Sequence, residues 1–144
     1  MNLGGWDTHQ NNFESVKRLC GILDPAWGQL MTDLDARGLL ETTTIIWMGE
    51  FGRTPRINQG TGRDHFPNAW SAVLAGGGLR GGQAYGKTIE DGTKVEGTPT
   101  GVPDFLATLC AALGIDHLKQ NPSNVGRPIR IVDKSAKVIK DIIA

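Results

Sequence analysis

Three short segments of the chain carry residue types that bind metal ions. In the first, Trp-Asp-Thr-His, the carboxylate of Asp7 and the imidazole of His9 are two residues apart. Alternate side chains of an extended segment share a face, so both groups can reach one point. The second segment contains Glu50, and the third contains the adjacent pair Asp64 and His65. Carboxylates and imidazoles together are a common ligand set for Zn²⁺, Mn²⁺ and iron.

Each segment taken alone also has an ordinary structural interpretation. Asp7 or Thr8 could cap a helix with His9 exposed, Glu50 could pair with Arg53 or Arg56, and Asp64 could belong to a solvated charge pair. Together the segments favour a metal site, because two of the three histidines fall in them, each close to an aspartate. We therefore predict that Asp7, His9 and His65 hold one divalent ion. Glu50 and Asp64 are expected to be further ligands or partners of the ligands.

Arginines surround the same segments. Arg53, Arg56 and Arg63 belong to the second and third segments or lie between them, and Arg80 is more distant. The planar guanidinium group matches the oxygens of phosphate or sulfate, and a metal ion beside it suits an anionic ester substrate. We assign Arg53 and Arg63 to substrate binding. Zn²⁺ or Mn²⁺ is the expected cofactor on ligand type.

The elements that must position these segments follow an α/β pattern. Apolar residues at helical spacing predict a helix from residue 13 to Gly38, either kinked at Pro25 or divided into two helices there. Nearly continuous apolar runs at 42–48 and 70–75 predict two strands buried on both faces of a parallel sheet. Ligands of such sheets bind in loops at the carboxyl ends of strands, which is where Glu50 would lie.

The remainder of the chain predicts shorter elements. Asp91-Gly92 indicates a hairpin or an extended excursion between short β-like pieces, and Pro103 opens a helix that stops at Gly114. Residues 129–132 are typical of an edge strand, and 138–144 of a last strand or a turn of helix.

Composition narrows the partners. Fifteen basic and fifteen acidic residues cancel, so nothing in the charge indicates nucleic acid. No apolar run reaches about 18 residues, so we expect no membrane segment. Cys20 and Cys110 lie in apolar helical stretches, which favours buried free thiols over a disulfide. Because motif-dense loops normally follow a strand, a start directly on the first motif indicates that an upstream portion is absent.

The ordered motifs resemble a known family. Residues 4–9 (Gly-Gly-Trp-Asp-Thr-His), 49–55 (Gly-Glu-Phe-Gly-Arg-Thr-Pro) and 62–67 (Gly-Arg-Asp-His-Phe-Pro) are similar to a bacterial sulfatase-related family of unknown function within the alkaline phosphatase superfamily. Similarity extends along nearly the whole chain, including residues 76–82 and 126–128.

The resemblance implies a fold and a domain organisation. It implies the C-terminal part of an alkaline-phosphatase-like three-layer sandwich with a largely parallel sheet. Residues 1–144 would form a single partial domain whose N-terminal half is absent, and that half would carry the nucleophile and be a partner of this chain. The resemblance also implies export of the full-length protein to the periplasm or out of the cell, with any signal upstream of Met1.

The resemblance assigns metal ligation to the positions of Asp7, His9 and His65. Two positions depart from the superfamily pattern. Phe51 stands where a histidine is usual, so the second of the two typical metals lacks that ligand. Glu50 replaces the usual aspartate, which moves its carboxylate about one methylene outward.

The functional hypothesis is a metal-dependent hydrolase of phosphate or sulfate esters, inactive as a fragment. The main alternative is a non-catalytic module of the same fold that binds an anion or a glycan. Two further alternatives are a structural network of salt bridges and a truncated product with no function of its own.

Overall fold

The computed structural model describes residues 1–97 and 99–144, which form two compact units. The first unit comprises Met1–Leu39, Trp47–Val73 and Lys87–Gly97. The second comprises Leu40–Ile46, Leu74–Gly86 and Thr98–Ala144. All of the predicted metal ligands belong to the first unit.

The first unit contains a long helix, α1, at Asn12–Ala36. Its predicted apolar stripe is its least exposed face, and Leu19 on that stripe is fully buried. The helix runs through Pro25 as one element, so the alternative of two helices is wrong. It ends as predicted at Gly38, whose φ of 65° suits a residue without a side chain. The amide of Leu39 then donates to the carbonyl of Leu34 at 2.8 Å.

Six short strands form three sheets of two strands each in the described residues. The first sheet pairs β1, Thr44–Met48, with β4, Ala72–Gly76. The second pairs β2, Gly52–Arg53, with β3, His65–Phe66, and is antiparallel. The third pairs β5, Gln120–Pro122, with β6, Pro128–Arg130, and is also antiparallel.

The predicted three-layer sandwich with a largely parallel sheet is therefore wrong. Sheets of two strands do not supply the row of parallel strands that forms the inner layer of such a sandwich. The expected double-sided burial of β1 is also wrong, since Ile46, Trp47 and Met48 are 40–48% exposed. An apolar run shows that a strand forms, but it does not show how many strands flank it.

The second unit contains α2, Val102–Ala112, which begins one residue before Pro103, the predicted first residue. Ala107 on this helix packs with Val132 and Ala136 in a small buried core. The fully buried hydroxyl of Thr108 donates to the carbonyl of Asp104 and accepts from the amide of Ile139, so it has no unmet hydrogen bond. These contacts attach the C-terminal tail to α2.

Short pairings complete the two units. In the first unit, a bridge between Thr88 and Val95 confirms the hairpin predicted around Asp91-Gly92. In the second, β6 lies within one or two residues of the predicted edge strand. The tail ends in a 3₁₀ helix at Lys140–Ile142. A second 3₁₀ helix spans Leu40–Thr42.

Both cysteines are free thiols, as predicted. Cys110 is partly buried, whereas Cys20 is exposed, so its predicted burial is wrong. Successive side chains of a helix are about 100° apart, so the burial of Leu19 does not extend to Cys20. Within the described part of the chain, no helix has the length and apolar content needed to cross a bilayer.

Candidate metal centre

The first ligand loop precedes α1, and its backbone turns at Asp7, because the amide of Thr8 donates to the carbonyl of Trp6 at 2.9 Å. Thr8 is buried, and its hydroxyl donates to the side chain of Asn12 at 2.6 Å. Asp7 and His9 lie on either side of this buried residue. His9 Nε2 and Asp7 Oδ1 are 3.0 Å apart, so the two side chains reach one point, as predicted.

The second ligand loop is the antiparallel pair of β2 and β3. Arg53 is the cross-strand partner of His65, so the two side chains are neighbours on one face. Thr54 holds the end of this pair, because its amide donates to the carbonyl of Asp64 at 3.0 Å and its hydroxyl accepts from the amide of Asp64 at 3.1 Å. These residues were predicted to lie in one polar loop, and the pairing of β2 with β3 was not predicted.

Backbone hydrogen bonds join the two loops. The amide of Arg63 donates to the carbonyl of Thr8 at 3.0 Å, and a bridge connects Gln10 with Thr61. Gly62 lies against the carbonyl of His9 so closely that a Cβ atom would collide with it. This close approach requires glycine, and it brings residues 7–9 beside residues 64–65.

Three side-chain donors converge where the loops meet. Asp7 Oδ1 lies 3.0 Å from both His9 Nε2 and His65 Nε2, and the two nitrogens are 3.2 Å apart. An ion with bonds of about 2.0–2.1 Å needs neighbouring donors roughly 3.0–3.4 Å apart. The exposed triad of Asp7, His9 and His65 can therefore hold a metal ion on one side and leave its other side open.

The protonation of His9 also favours a cation at this point. Its Nδ1 lies 2.9 Å from Asp64 Oδ1, and an ionised carboxylate can only accept, which assigns the proton to Nδ1. In this tautomer the Nε2 atom of His9 presents a lone pair to Asp7 Oδ1, which is itself an acceptor. A metal ion between them replaces this unfavourable contact with two bonds. A carboxylate behind the metal-binding imidazole is the usual way to fix its orientation.

The carboxylates of the centre remain ionised well into acid. Hydrogen bonds from His65 and then from Arg53, whose Nη2 is 2.8 Å from Asp7 Oδ1, lower the pKa of Asp7 to about 2. The pKa of Asp64 is lowered by its hydrogen bonds with His9 and, to a smaller extent, with Asn58. Asp7 is thus available as an anionic ligand at any ordinary pH.

The remaining residues of the predicted site lie in different surroundings. Glu50 is exposed and is not among the described donors that converge with Asp7. Asp64 is a partner of His9 and is outside the donor triad. Arg63 donates from Nη1 to the carbonyls of Thr54 at 2.6 Å and Pro55 at 2.7 Å.

Phe51 occupies the position at which the resemblance implied a histidine, and its ring packs against that of His65. Its ring centroid is 4.3 Å from that of His65, with the planes tilted by 47°. The guanidinium carbon of Arg53 is 5.7 Å from the same ring. Phe51 therefore restricts both His65 and Arg53. Nothing in its residue type alone could have indicated this contact.

The chain belongs to the family described as protein of unknown function (DUF1501), which it matches over residues 1–143. No curated protein and no solved structure matches it. The assignment to a sulfatase-related family in the alkaline phosphatase superfamily is therefore wrong, and the match does not indicate that the chain is a C-terminal portion of such a domain. That assignment depended on short strings of Gly, Asp and His, whose shared chemistry does not specify a fold.

Proposed function

We propose that this member of a family of unknown function binds one divalent transition-metal ion at Asp7, His9 and His65 and hydrolyses a phosphate or sulfate ester there. The observation that carries the proposal is the convergence of the three donors at 3.0–3.2 Å. Two imidazoles and one carboxylate with an open side are typical of catalytic zinc sites, in which water takes the remaining position.

Zn²⁺ and Mn²⁺ are the ions that this ligand set favours. When bound, such an ion would supply a polarising charge for the ester oxygen and would bring the pKa of its water to about 7. Asp64 keeps His9 in the tautomer that offers Nε2 to the ion. Phe51 keeps the ring of His65 beside that of His9.

Arg53 is the residue proposed to recognise the anionic substrate. Its side chain is 24% exposed, and one of its nitrogens reaches Asp7 at the edge of the donor triad. A guanidinium has five N–H donors, so Arg53 can hold Asp7 and still present N–H groups to an incoming oxyanion. Arg63 is proposed to support the loop instead, because its guanidinium is bonded to backbone carbonyls.

A second candidate is a metal-dependent module that binds an anion or a glycan without turnover. Exposure favours it: the side chains of Asp7, His9 and His65 are 65%, 44% and 50% exposed. Hydrolytic sites usually exclude water to strengthen their electrostatic interactions. The two candidates share the metal and differ in whether a bound ester is cleaved.

Metal content and affinity test the proposal. The purified chain is titrated with Zn²⁺ and Mn²⁺ by calorimetry beside His9→Ala, His65→Ala and a control, His117→Ala, in the second unit. We expect the wild type to bind one ion per chain. Both ligand variants should lose at least about 100-fold in affinity, since outer-shell changes alone cost 10–100-fold. The control should keep the wild-type affinity. A chain that binds no ion, or an equal loss in all three variants, would falsify the metal site.

Turnover separates the two candidates. The metal-loaded chain is incubated with p-nitrophenyl phosphate and p-nitrophenyl sulfate, with His9→Ala as the blank. Release of nitrophenolate that His9→Ala lacks supports the hydrolase. Binding of inorganic phosphate or a glycan by the metal-loaded chain, without release from either ester, supports the binding module and overturns the hydrolase.

A further inference from the structure

Asn58 lies in the turn between β2 and β3, and its side-chain amide makes four hydrogen bonds. Its Nδ2 donates to the carbonyl of His9 at 3.0 Å and to Asp64 Oδ1 at 2.9 Å. Its Oδ1 accepts from the amides of Gly60 and Gly62, both at 2.9 Å. A primary amide has two donors and two acceptor positions, so every one of them is used.

The two halves of this amide do different things. The oxygen shapes the turn, because it gathers the amides of Gly60 and Gly62. The nitrogen reaches the ligand His9 from two sides, through its backbone carbonyl and through the carboxylate bonded to its ring. Asp64 Oδ1 accepts from both Asn58 Nδ2 and His9 Nδ1, each at 2.9 Å.

We infer that Asn58 is a positioning residue of the metal centre, which sets the place and the tautomer of His9 by fixing its backbone and Asp64 together. The inference rests on the proposed function in one respect: positioning His9 serves to bind the ion. The way in which Asn58 positions His9 rests on the hydrogen bonds alone. An imidazole rotates about two side-chain bonds. Fixing its backbone end and its Nδ1 end leaves one direction for Nε2, the direction of Asp7 and His65.

Asparagine is the residue type that this position requires. Aspartate has nearly the same shape and keeps an oxygen for the glycine amides, but it would place a second carboxylate oxygen against Asp64 and the carbonyl of His9. Asn58→Ala removes both the oxygen that accepts from the glycine amides and the nitrogen that donates to His9 and Asp64. Gln59, the exposed neighbour of Asn58, makes no side-chain hydrogen bond within the described residues. It is therefore a matched control.

The first test uses metal-free protein, so that it stands apart from the proposed function. The ring nitrogens of His9 are observed by ¹⁵N NMR in the wild type, Asn58→Ala, Asn58→Asp and Gln59→Ala. We expect the Nδ1–H tautomer in the wild type and in Gln59→Ala, and loss of the Nδ1–Asp64 hydrogen bond in both Asn58 variants. Should Asn58→Ala not fold, Asn58→Asp, which keeps the turn, decides. An unchanged His9 ring in the folded variant overturns the inference.

The second test is a double-mutant cycle on metal affinity. We expect Asn58→Ala to weaken Zn²⁺ binding about tenfold, at the low end for residues behind a ligand. Because Asn58 acts largely through Asp64, adding Asn58→Ala to Asp64→Ala should cost less than threefold more. Fully additive losses would mean that Asn58 only stabilises the loop, and would overturn the inference. A wild type without metal refutes the proposed function and leaves the first test intact.

Discussion

The Nε2 atoms of His9 and His65 lie 3.2 Å apart, although the residues are 56 positions apart in the chain. The ring centroids are 4.9 Å apart and the planes are tilted by 44°, so the nitrogens meet edge to edge. Two ring nitrogens at this distance share either a proton or a cation. Both arrangements leave the Nδ1 proton of His9 for the hydrogen bond with Asp64.

Replacement of Arg53 separates anion recognition from metal binding. Arg53→Ala removes a positive charge from beside Asp7, so Zn²⁺ affinity should be unchanged or higher. Inorganic phosphate should bind the metal-loaded protein about 10–100-fold more weakly, the range expected for one charged hydrogen bond. Calorimetric titration measures both. Wild-type phosphate affinity in Arg53→Ala would exclude this residue from recognition.

Arg63→Ala is the matched comparison for Arg53→Ala. Its two backbone acceptors, Thr54 and Pro55, would lose a charged donor, so the free energy of unfolding should fall by about 1–3 kcal/mol. Urea denaturation measures the change, with exposed Arg56→Ala as a control expected to stay within about 0.5 kcal/mol.

Phe51 should matter for its ring and not for any ligating atom. Phe51→Ala removes the contact with His65, and Zn²⁺ affinity should fall about 2–10-fold, since such ring pairs contribute about 0.5–1.5 kcal/mol. Phe51→Tyr retains the ring and should bind Zn²⁺ as the wild type does. Equal losses in both variants would show that the ring contact has no part in holding His65.

Gly62 tests the approach of the two ligand loops. In Gly62→Ala the new Cβ meets the carbonyl of His9, so residues 8–10 must shift. We expect the free energy of unfolding to fall by about 1–3 kcal/mol, as for other overpacked sites, and Zn²⁺ affinity to fall with it. Gly4→Ala, where the Cβ has nothing within 4 Å, should leave both quantities unchanged. Urea denaturation measures the free energy of unfolding, and calorimetry measures Zn²⁺ affinity. Equal values in Gly62→Ala and Gly4→Ala would contradict the expectation.

The lowered pKa of Asp7 predicts a specific acid sensitivity of the metal-free protein. Its value is about 2 in the folded chain against 3.8 ordinarily, so ionised Asp7 stabilises the fold above about pH 4. That contribution is lost as the pH falls from about 4 through about 2. Asp7→Asn should therefore be less stable than the wild type at pH 6 and reach the same stability only below about pH 2. Thermal unfolding across this range measures the difference, and a gap that stayed constant with pH would refute the assignment.

Local patterns predicted the parts of this molecule that depend on near neighbours. The apolar stripe of α1 and its end at Gly38 follow from helix periodicity and from the freedom of glycine. The approach of Asp7 to His9 follows from their spacing of two residues, although the backbone between them turns at Asp7. Each of these features is decided within a few residues, so one sequence contains the necessary information.

Features that depend on distant partners could not be predicted in this way. The pairing of β2 with β3 joins residues in a stretch without apolar alternation, so no periodic signal marks it. Arg63 and Arg53 look alike in sequence, but Arg63 donates to two backbone carbonyls, whereas Arg53 reaches the carboxylate of Asp7 and one carbonyl. Asn58 resembles an ordinary turn residue until its four partners are known. The predicted parallel sheet is wrong because the number of strands in a sheet depends on contacts throughout the fold, which a local pattern does not contain.

The separation of Asp7 from His65 by 58 positions makes any ion held between them a reversible cross-link. The unfolded chain must close a long loop to regain the donors, which lowers its affinity for the ion. By mass action, an ion at 100 times its Kd would then add about 2.7 kcal/mol to folding. Metal supply would thus set the lifetime of the polypeptide against proteolysis, and starvation for the ion would lower its abundance.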